Sequence, residues 1–388
     1  MKRLRLATAQ GMDYSVSMHT TLFPLRLVHL ALLASALAFS AGASAQPAPP
    51  SLQPDSGPWK SGAGFDFDLG KKKLQKTRQS VSGIACNLDA RQQRVCLVVF
   101  DEGAQARHAS VGDKALTADA EPVVLRATAD ELDAEGAATD GRYFYVTGSH
   151  SAKRNDCASN PGSRHVLRLR LDPATGRASR AQADLADSGR LWPIMQAQPE
   201  LAPHVGERKC LGSEAPPEAP ALAGQQGVNI EGLAVQGGRL YFGFRGPASK
   251  GVAQVLAVDA DALFAPQAAR DPKATVTRLA LGQNRGIRDM VAVKTGFLLL
   301  AGPDDSSASQ GTGWTVAWWD GKTAAAGSVV QPRVLAALDL SGVKLHKCDK
   351  ELKPEAMTVL KETPAAYKLL VLSDGLCDGG PLAFTVAR

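Results

Sequence analysis

Residues 231–247 read EGLAVQGGRLYFGFRGP. The segment holds a small strand, a Gly-Gly turn and a more apolar strand that stops at Gly246-Pro247, which is the signature of a β-hairpin. The same pattern appears as SGIACNLDARQQRVCLVVFDEG at 82–103, EGAATDGRYFYVTGSHS at 135–151, RDMVAVKTGFLLLAGPDD at 288–305 and EAMTVLKETPAAYKLLVLSDG at 355–375. Further strand-like runs follow several hairpins: HVLRLRLD at 165–172, AQVLAVDA at 253–260, TVTRLALG at 275–282 and WTVAWWDG at 314–321. The repeating unit is therefore a sheet of about four antiparallel strands, and such sheets arranged radially make an all-β propeller. A β-sandwich also uses many short strands. It gives no reason for a polar residue to return at the start of every unit.

The unit starts are Ser82, Glu135, Glu231, Arg288 and Glu355, separated by 53, 96, 57 and 67 residues. The long interval holds either a blade with a degraded signature or one blade plus a large loop. LGSEAPPEAPALAGQQG at 211–227 favours a loop for part of it, since Pro and Gly oppose regular structure. Five or six blades are expected over residues 65–388, with a Pro/Ala/Gly-rich insertion around 181–227. FDFDLG at 65–70 alternates as a strand does and could close the ring beside LAFTVAR at 382–388. Closure would remove exposed strand edges.

The chain has 388 residues, 44% of them hydrophobic and 21% charged, enough apolar material for a large core. That composition excludes a wholly disordered protein. Residues 22–42, LFPLRLVHLALLASALAFSAG, precede Ala43-Ser44-Ala45, the layout of a signal peptide cleaved after Ala45. Met18 is an alternative start that would give a more usual signal length. Without residues 1–45 the chain carries 40 basic and 37 acidic residues, a net charge of +3. With no dense Lys/Arg block, that charge is a poor nucleic-acid footprint. Residues 46–64, rich in Pro, Ser and Gly, read as a flexible leader.

Six cysteines, Cys86, Cys96, Cys157, Cys210, Cys348 and Cys377, fall after the signal, and no CxxC is present. Structural disulfides in an oxidising compartment are expected. Six cysteines allow fifteen pairings. Their order suggests the simplest, with Cys86–Cys96 across a hairpin, Cys157–Cys210 around the insertion and Cys348–Cys377 astride the last repeat. The sequence alone does not fix it. A periplasmic or extracellular monomer follows, with no stable membrane insertion once the signal is cleaved.

In a propeller the first strand of each blade lines the central channel. The repeated polar position therefore predicts a ring of Ser82, Glu135, Glu231, Arg288 and Glu355 near one mouth. Glu135, Glu231, Asp289 and Glu355 are candidate ligands for Ca²⁺ or Mg²⁺, because hard cations prefer oxygen. Crowded carboxyls could also form an acid–base pair, with Glu135 and Glu231 as candidates. Arg288 would neutralise the glutamates or bind an anion. The loops ending the second strands offer a second layer: His150 as a base or metal ligand, Arg154 and Arg245 for an anion, and Asp304. A lone histidine in a Gly/Ser turn is ordinarily solvated. Trp314, Trp318 and Trp319 read as packing between blades, with Trp318 and Trp319 on opposite faces, rather than as a carbohydrate platform. GSHS at 148–151 does not meet the nucleophile-elbow pattern, and no GxGxxG, P-loop, HExxH or EF-hand loop occurs.

AEGAATDGRYFYVTGSHS, NIEGLAVQGGRLYFGFRGP, GIRDMVAV…LLLAGP and PEAM…LLVLSDG occur in this order across about residues 80–380. Together they resemble a bacterial family known as a domain of unknown function, numbered thirty-six sixteen. That resemblance implies an exported β-propeller and brings no substrate or catalytic residue. The EG-containing first strands are also loosely similar to phytase-like and esterase-like propellers, which would put Glu135 and Glu231 at the channel. Glu355 lies in PEAM and Arg288-Asp289 replaces EG, both departures from that pattern. The expected function is a ligand-binding or interaction scaffold for a small molecule or an exported protein. The alternative is a divalent-metal-assisted hydrolase of a phosphoester, ester or lactone at the channel.

Overall fold

Each hairpin visible in the sequence forms the inner half of one sheet in the computed structural model. The structure describes residues 48–62, 64–65, 76–127, 131–154, 156–212, 226–266, 270–323, 325 and 327–388. The segment expected to be a signal peptide, residues 66–70 of FDFDLG, and residues 213–225 of the expected insertion lie outside the described residues. Residues 48–388 form an all-β, five-bladed propeller.

The first blade comprises Val81–Leu88, Arg94–Phe100, Gln105–Gly112 and Ala115–Val124. The second comprises Ala134–Thr139, Tyr143–Gly148, Val166–Asp172 and Leu185–Ser188, with Arg177–Ala178 paired beside the third strand. Asn229–Gln236, Arg239–Gly246, Val252–Asp259 and Thr275–Ala280 make the third. Arg285–Val293, Gly296–Pro303, Thr315–Trp319 and Arg333–Leu338 make the fourth. Among the described residues the fifth has three strands, Lys353–Glu362, Ala366–Asp374 and Leu382–Ala387. The 96-residue interval thus contains one blade and a loop, and the expected insertion begins with that blade's outer strand, Leu185–Ser188. Among the described residues no helix is long and apolar enough to cross a membrane.

Each blade is apolar on both faces because each face packs on a different neighbour. In the strand Gly296–Pro303, Leu298 and Leu300 pack towards the fifth blade, while Phe297, Leu299 and Ala301 pack towards the third. Alternation therefore divides an unbroken apolar run between two cores. Trp319 stacks on Phe297 at 5.2 Å in the core shared with the third blade, and Trp318 packs on the other side. The remaining interfaces are filled by Leu97, Phe144 and Leu167 between the first and second blades, and by Tyr145, Phe242 and Phe244 between the second and third. Ile84, Phe100, Leu370 and Leu372 join the fifth blade to the first. Five such cores close the ring.

The Pro/Ser/Gly-rich leader is docked over its described part, residues 48–62. Ser51–Leu52 pairs in parallel with Ala337–Leu338 of the fourth blade. Asp55 N–H then donates to Ala383 O on the outer strand of the fifth, and Trp59 N–H to Pro381 O just before that strand, each at 2.8 Å. Lys60 finally bonds to the first blade, donating to Lys114 O at 3.1 Å and accepting from Leu116 N–H at 2.8 Å. Its composition gives the leader no core of its own, but its backbone groups satisfy strand edges, and Trp59 and Phe65 anchor it in the fifth–first core. The strap covers the outer edge of the three-stranded blade, an edge that would otherwise invite association.

Disulfides join Cys86 to Cys96, Cys157 to Cys210 and Cys348 to Cys377, the nearest-neighbour arrangement. Cys86 and Cys96 stand directly opposite each other in the first hairpin.

The blades meet closely where glycine follows the polar position. A Cβ on Gly136 would lie 2.8 Å from Leu233 Cβ and 3.0 Å from Glu231 O of the third blade. Gly83 has the same relation to the second blade, and Gly232 to the fourth. Gly136→Ala should therefore force two first strands apart and cost about 1–3 kcal/mol, as overpacking does. Thermal unfolding of the variant would show this as a lowered Tm, and an unchanged Tm would mean the strands are not held at this distance.

Candidate functional site at the propeller axis

All five first strands skip one residue in their pairing at the same point. Val81 pairs with Phe100 and Gly83 with Val99, leaving Ser82 out of register. Glu135, Glu231, Arg288 and Glu355 are skipped in the same way in the second to fifth blades. The repeated polar position is thus five β-bulges, a feature that re-aims a side chain out of the regular pleat. The following residue, Gly83, Gly136, Gly232, Asp289 or Ala356, returns to the ladder. Glu135, Glu231 and Glu355 form part of the floor of a cleft of about 750 Å³ at this mouth of the axis.

Arg288, buried beneath the floor, neutralises two of these carboxylates. Its Nε lies 2.9 Å from Glu231 Oε2, an ion pair without hydrogen-bond alignment, and its Nη2 pairs with Glu355 Oε1. Nη1 donates to Pro303 O at 3.3 Å. Burial and the neighbouring Arg245 pull the Arg288 pKa down to about 10, so it remains a cation at neutral pH. Arg245 reaches the other side of Glu231, with Nη1 3.0 Å from Oε1, and places Nε 3.0 Å from Asp305 Oδ1. Asn229 Nδ2 donates to Glu231 Oε1 at 3.3 Å, while Asn229 Oδ1 is buried without a hydrogen-bond partner.

Glu135 differs. It is 8% exposed and makes no hydrogen bond or ion pair among the described residues. Burial, followed by the charges of Glu231 and Asp133, pushes its pKa well above the ordinary glutamate value. Asp133 and Asp101 stand beside it in the cleft wall. Asp133 sits in a left-handed backbone conformation at φ 53° and accepts from Ser149 Oγ. Burial raises the Asp133 pKa, and the Ser149 hydrogen bond opposes that rise by favouring the ionised form. Asp101 Oδ1 is buried with no hydrogen-bond partner. Burial first, then Asp374 and Asp133, push the Asp101 pKa up to about 8.

The other candidates disperse. His150 is fully buried at φ 57°, with Nδ1 3.0 Å from Gly148 O, and it does not line the cleft. Burial pulls its pKa down to about 4. The turn that suggested a solvated histidine is instead packed between blades. Asp304 closes a local turn by accepting from Ser306 N–H at 2.9 Å; its neighbour Asp305 is the residue that reaches Arg245. Asp289 spends its carboxylate on backbone donors, Met290 N–H at 2.7 Å and Met357 N–H at 2.6 Å, so it ties the fourth blade to the fifth. Burial raises its pKa well above the ordinary range. With Asp289 in the ladder and Glu231 and Glu355 on Arg288, the expected oxygen set does not converge on one cation. Among the described residues no group of three or more His, Cys, Asp or Glu side chains is disposed to hold a metal. Arg154 lines the cleft, exposed, with no ion pair among the described residues.

Asp101 was not singled out because FDEG at 100–103 reads simply as the end of a strand. Its equivalence to the other second-strand ends was the available signal. Asp305 follows Asp304 directly in GPDD, and nothing local in that run separates the two.

The raised carboxyls have a consequence for stability. Asp101 titrates near 3.8 in the unfolded chain and at about 8 when folded, so the folded state binds more protons between those values. Its contribution is complete below the unfolded value and is lost as pH rises through about 8. Tm should fall from about pH 5 to about pH 8, and Asp101→Asn should flatten that fall. A Tm profile identical in the variant would contradict a protonated Asp101.

No curated protein matches the chain. Solved structures that it resembles include a GH43 β-1,3-galactosidase, with 10% identity, 86% of this chain and 94% of that one covered and a TM-score of 0.42. An α-L-arabinanase from Penicillium chrysogenum has 10% identity, 86% and 98% coverage and a TM-score of 0.36. The calcium-binding protein regucalcin from Agrobacterium tumefaciens has 11% identity, 87% and 95% coverage and a TM-score of 0.34. These are distant likenesses and carry no functional argument. Residues 112–182 and 220–378 match the model of the DUF3616 family, described as proteins of unknown function, and the chain belongs to that family.

Proposed function

We propose that the axial cleft is the acid–base site of a hydrolase acting on a small polar ester, lactone or phosphoester. The observation that carries this reading is Glu135. In a ring serving only to hold blades together, every buried carboxyl would be paired or hydrogen-bonded, because a buried polar group without a partner is costly. Glu231 and Glu355 obey that rule through Arg288, whereas Glu135 faces the cleft with no partner.

Carboxyls that share a site do not all ionise together, so their environments divide them into acids and bases. Glu135, whose pKa is pushed up by burial and by the charges of Glu231 and Asp133, is the proton donor to the leaving oxygen. Asp133, whose ionised form is favoured by the Ser149 hydroxyl, draws the proton from the attacking water. Arg154, on the same blade as Glu135 and Asp133, supplies the cation that stabilises the developing negative charge. The expected divalent ion has no role in this scheme.

A ligand-binding scaffold without turnover is the second reading, favoured by the closed Arg288–Glu231–Glu355 network, which holds the ring whether or not chemistry occurs. Chromogenic esters, lactones and phosphoesters, tested with chain lacking residues 1–45, separate the two. The hydrolase reading expects turnover that Glu135→Gln lowers by about 10²–10⁴-fold, the usual size of a general-acid contribution, with Tm retained. Turnover unaffected by Glu135→Gln would contradict the assigned role, and binding without hydrolysis across the panel would leave the scaffold.

A further inference from the structure

The cleft wall built by the first and second blades carries an imbalance of charge. Lys76 pairs with Glu102, and Lys353 lies 3.5 Å from Asp374, so these rim charges neutralise each other. Glu131 accepts from Gly103 N–H at 2.9 Å at the edge. On the opposite side, Arg245 and Arg288 are matched by Glu231, Asp305 and Glu355. Arg154, also on the second blade, sets a positive charge near Asp133 and Glu135, whereas Asp101 has no ion pair among the described residues. Two independent features mark the wall as a place for a ligand. Asp101 Oδ1 is a buried acceptor with no hydrogen-bond partner, and Glu135, more than nine-tenths buried, opens without a partner onto the same cavity.

We infer that this wall recognises a protonated amine on the substrate, with Asp101 as the residue that receives the ammonium. The inference rests on the hydrolase reading of the same cleft and names its substrate class: a small polar ester, lactone or phosphoester bearing an amino group. An ammonium suits the wall because it needs only a few acceptors in loose geometry, whereas Ca²⁺ demands six to eight oxygens around one point. Among the described residues no metal-type cluster of carboxyls occurs. Asp101 lies at the end of the second strand of the first blade, whereas Glu135 lies at the bulge on the axis. The amine can therefore sit at the wall while the scissile bond lies over the floor. Arg154, on the second blade near Asp133 and Glu135, repels the ammonium and so directs it towards Asp101. Asp101 is thus a specificity residue, and Glu135 the proton donor.

The probes are aminohexanol, its uncharged counterpart hexanediol, and CaCl₂, each titrated calorimetrically into chain lacking residues 1–45. Aminohexanol should bind at least about tenfold more tightly than hexanediol, and Asp101→Asn should abolish that difference. Because the amine draws Asp101 into its ionised form, binding near neutral pH should release protons, read as an enthalpy that depends on the buffer. That readout needs no variant and holds even if Asp101→Asn folds poorly. Equal affinity for the two alcohols, no binding by either, or no proton release would overturn the inference. So would Ca²⁺ binding that is lost in Asp101→Asn, since the wall would then be a metal site. Glu135-dependent turnover of uncharged substrates without amine preference would overturn this inference alone. Amine binding with no hydrolysis of any ester, lactone or phosphoester would overturn the hydrolase reading alone.

Discussion

Five first strands converge on one axis, and those of the first three blades pass their neighbours at a distance that leaves no room for a side chain. Gly83, Gly136 and Gly232 meet this constraint by having no Cβ. Asp289, at the same position of the fourth blade, instead accepts backbone N–H groups from its own strand and from Met357 of the fifth blade. The bulge just before each of these positions turns the preceding side chain out of the pleat. Close packing and the polar ring are therefore one feature: the geometry that lets the blades touch also delivers a polar residue to the axis.

The order of residues round the ring then decides their chemistry. In chain order the bulged residues are Ser82, Glu135, Glu231, Arg288 and Glu355. Each neighbours the next, and Glu355 returns to Ser82. Arg288 lies between two glutamates and pairs with both. Glu135 lies between a serine and a glutamate, so the ring offers it no cation. The low-dielectric floor amplifies that difference, because an unpaired carboxyl there holds its proton. One arginine among five positions thus separates an inert, neutralised pair from a carboxyl available to a ligand.

Much of this was legible in the sequence. The repeated EGLAVQGGRLYFGFRGP pattern gave the blades, the polar column and the presence of Arg288 among the glutamates. Ring adjacency followed from chain order and would have singled out Glu135 without coordinates. Other features depend on contacts between distant segments. Nothing local distinguishes Asp289, bound into the backbone ladder, from a free carboxylate, nor Asp305 from Asp304. His150 was hidden because a Gly/Ser-rich turn is ordinarily exposed, whereas here it is packed between blades. The docking of the leader is of the same kind: composition reports that residues 48–62 lack a core of their own, not that other strands offer them edges to bind.

The central claim is that Glu135 holds a proton because the ring leaves it unpaired. Its side-chain carboxyl can be followed directly by ¹³C NMR of protein labelled at glutamate, with Glu135→Gln assigning the signal. The account predicts a midpoint well above the ordinary glutamate value of 4.5. A midpoint at or below that value would contradict it, since Glu135 would then be an ionised carboxylate with a partner the account does not contain.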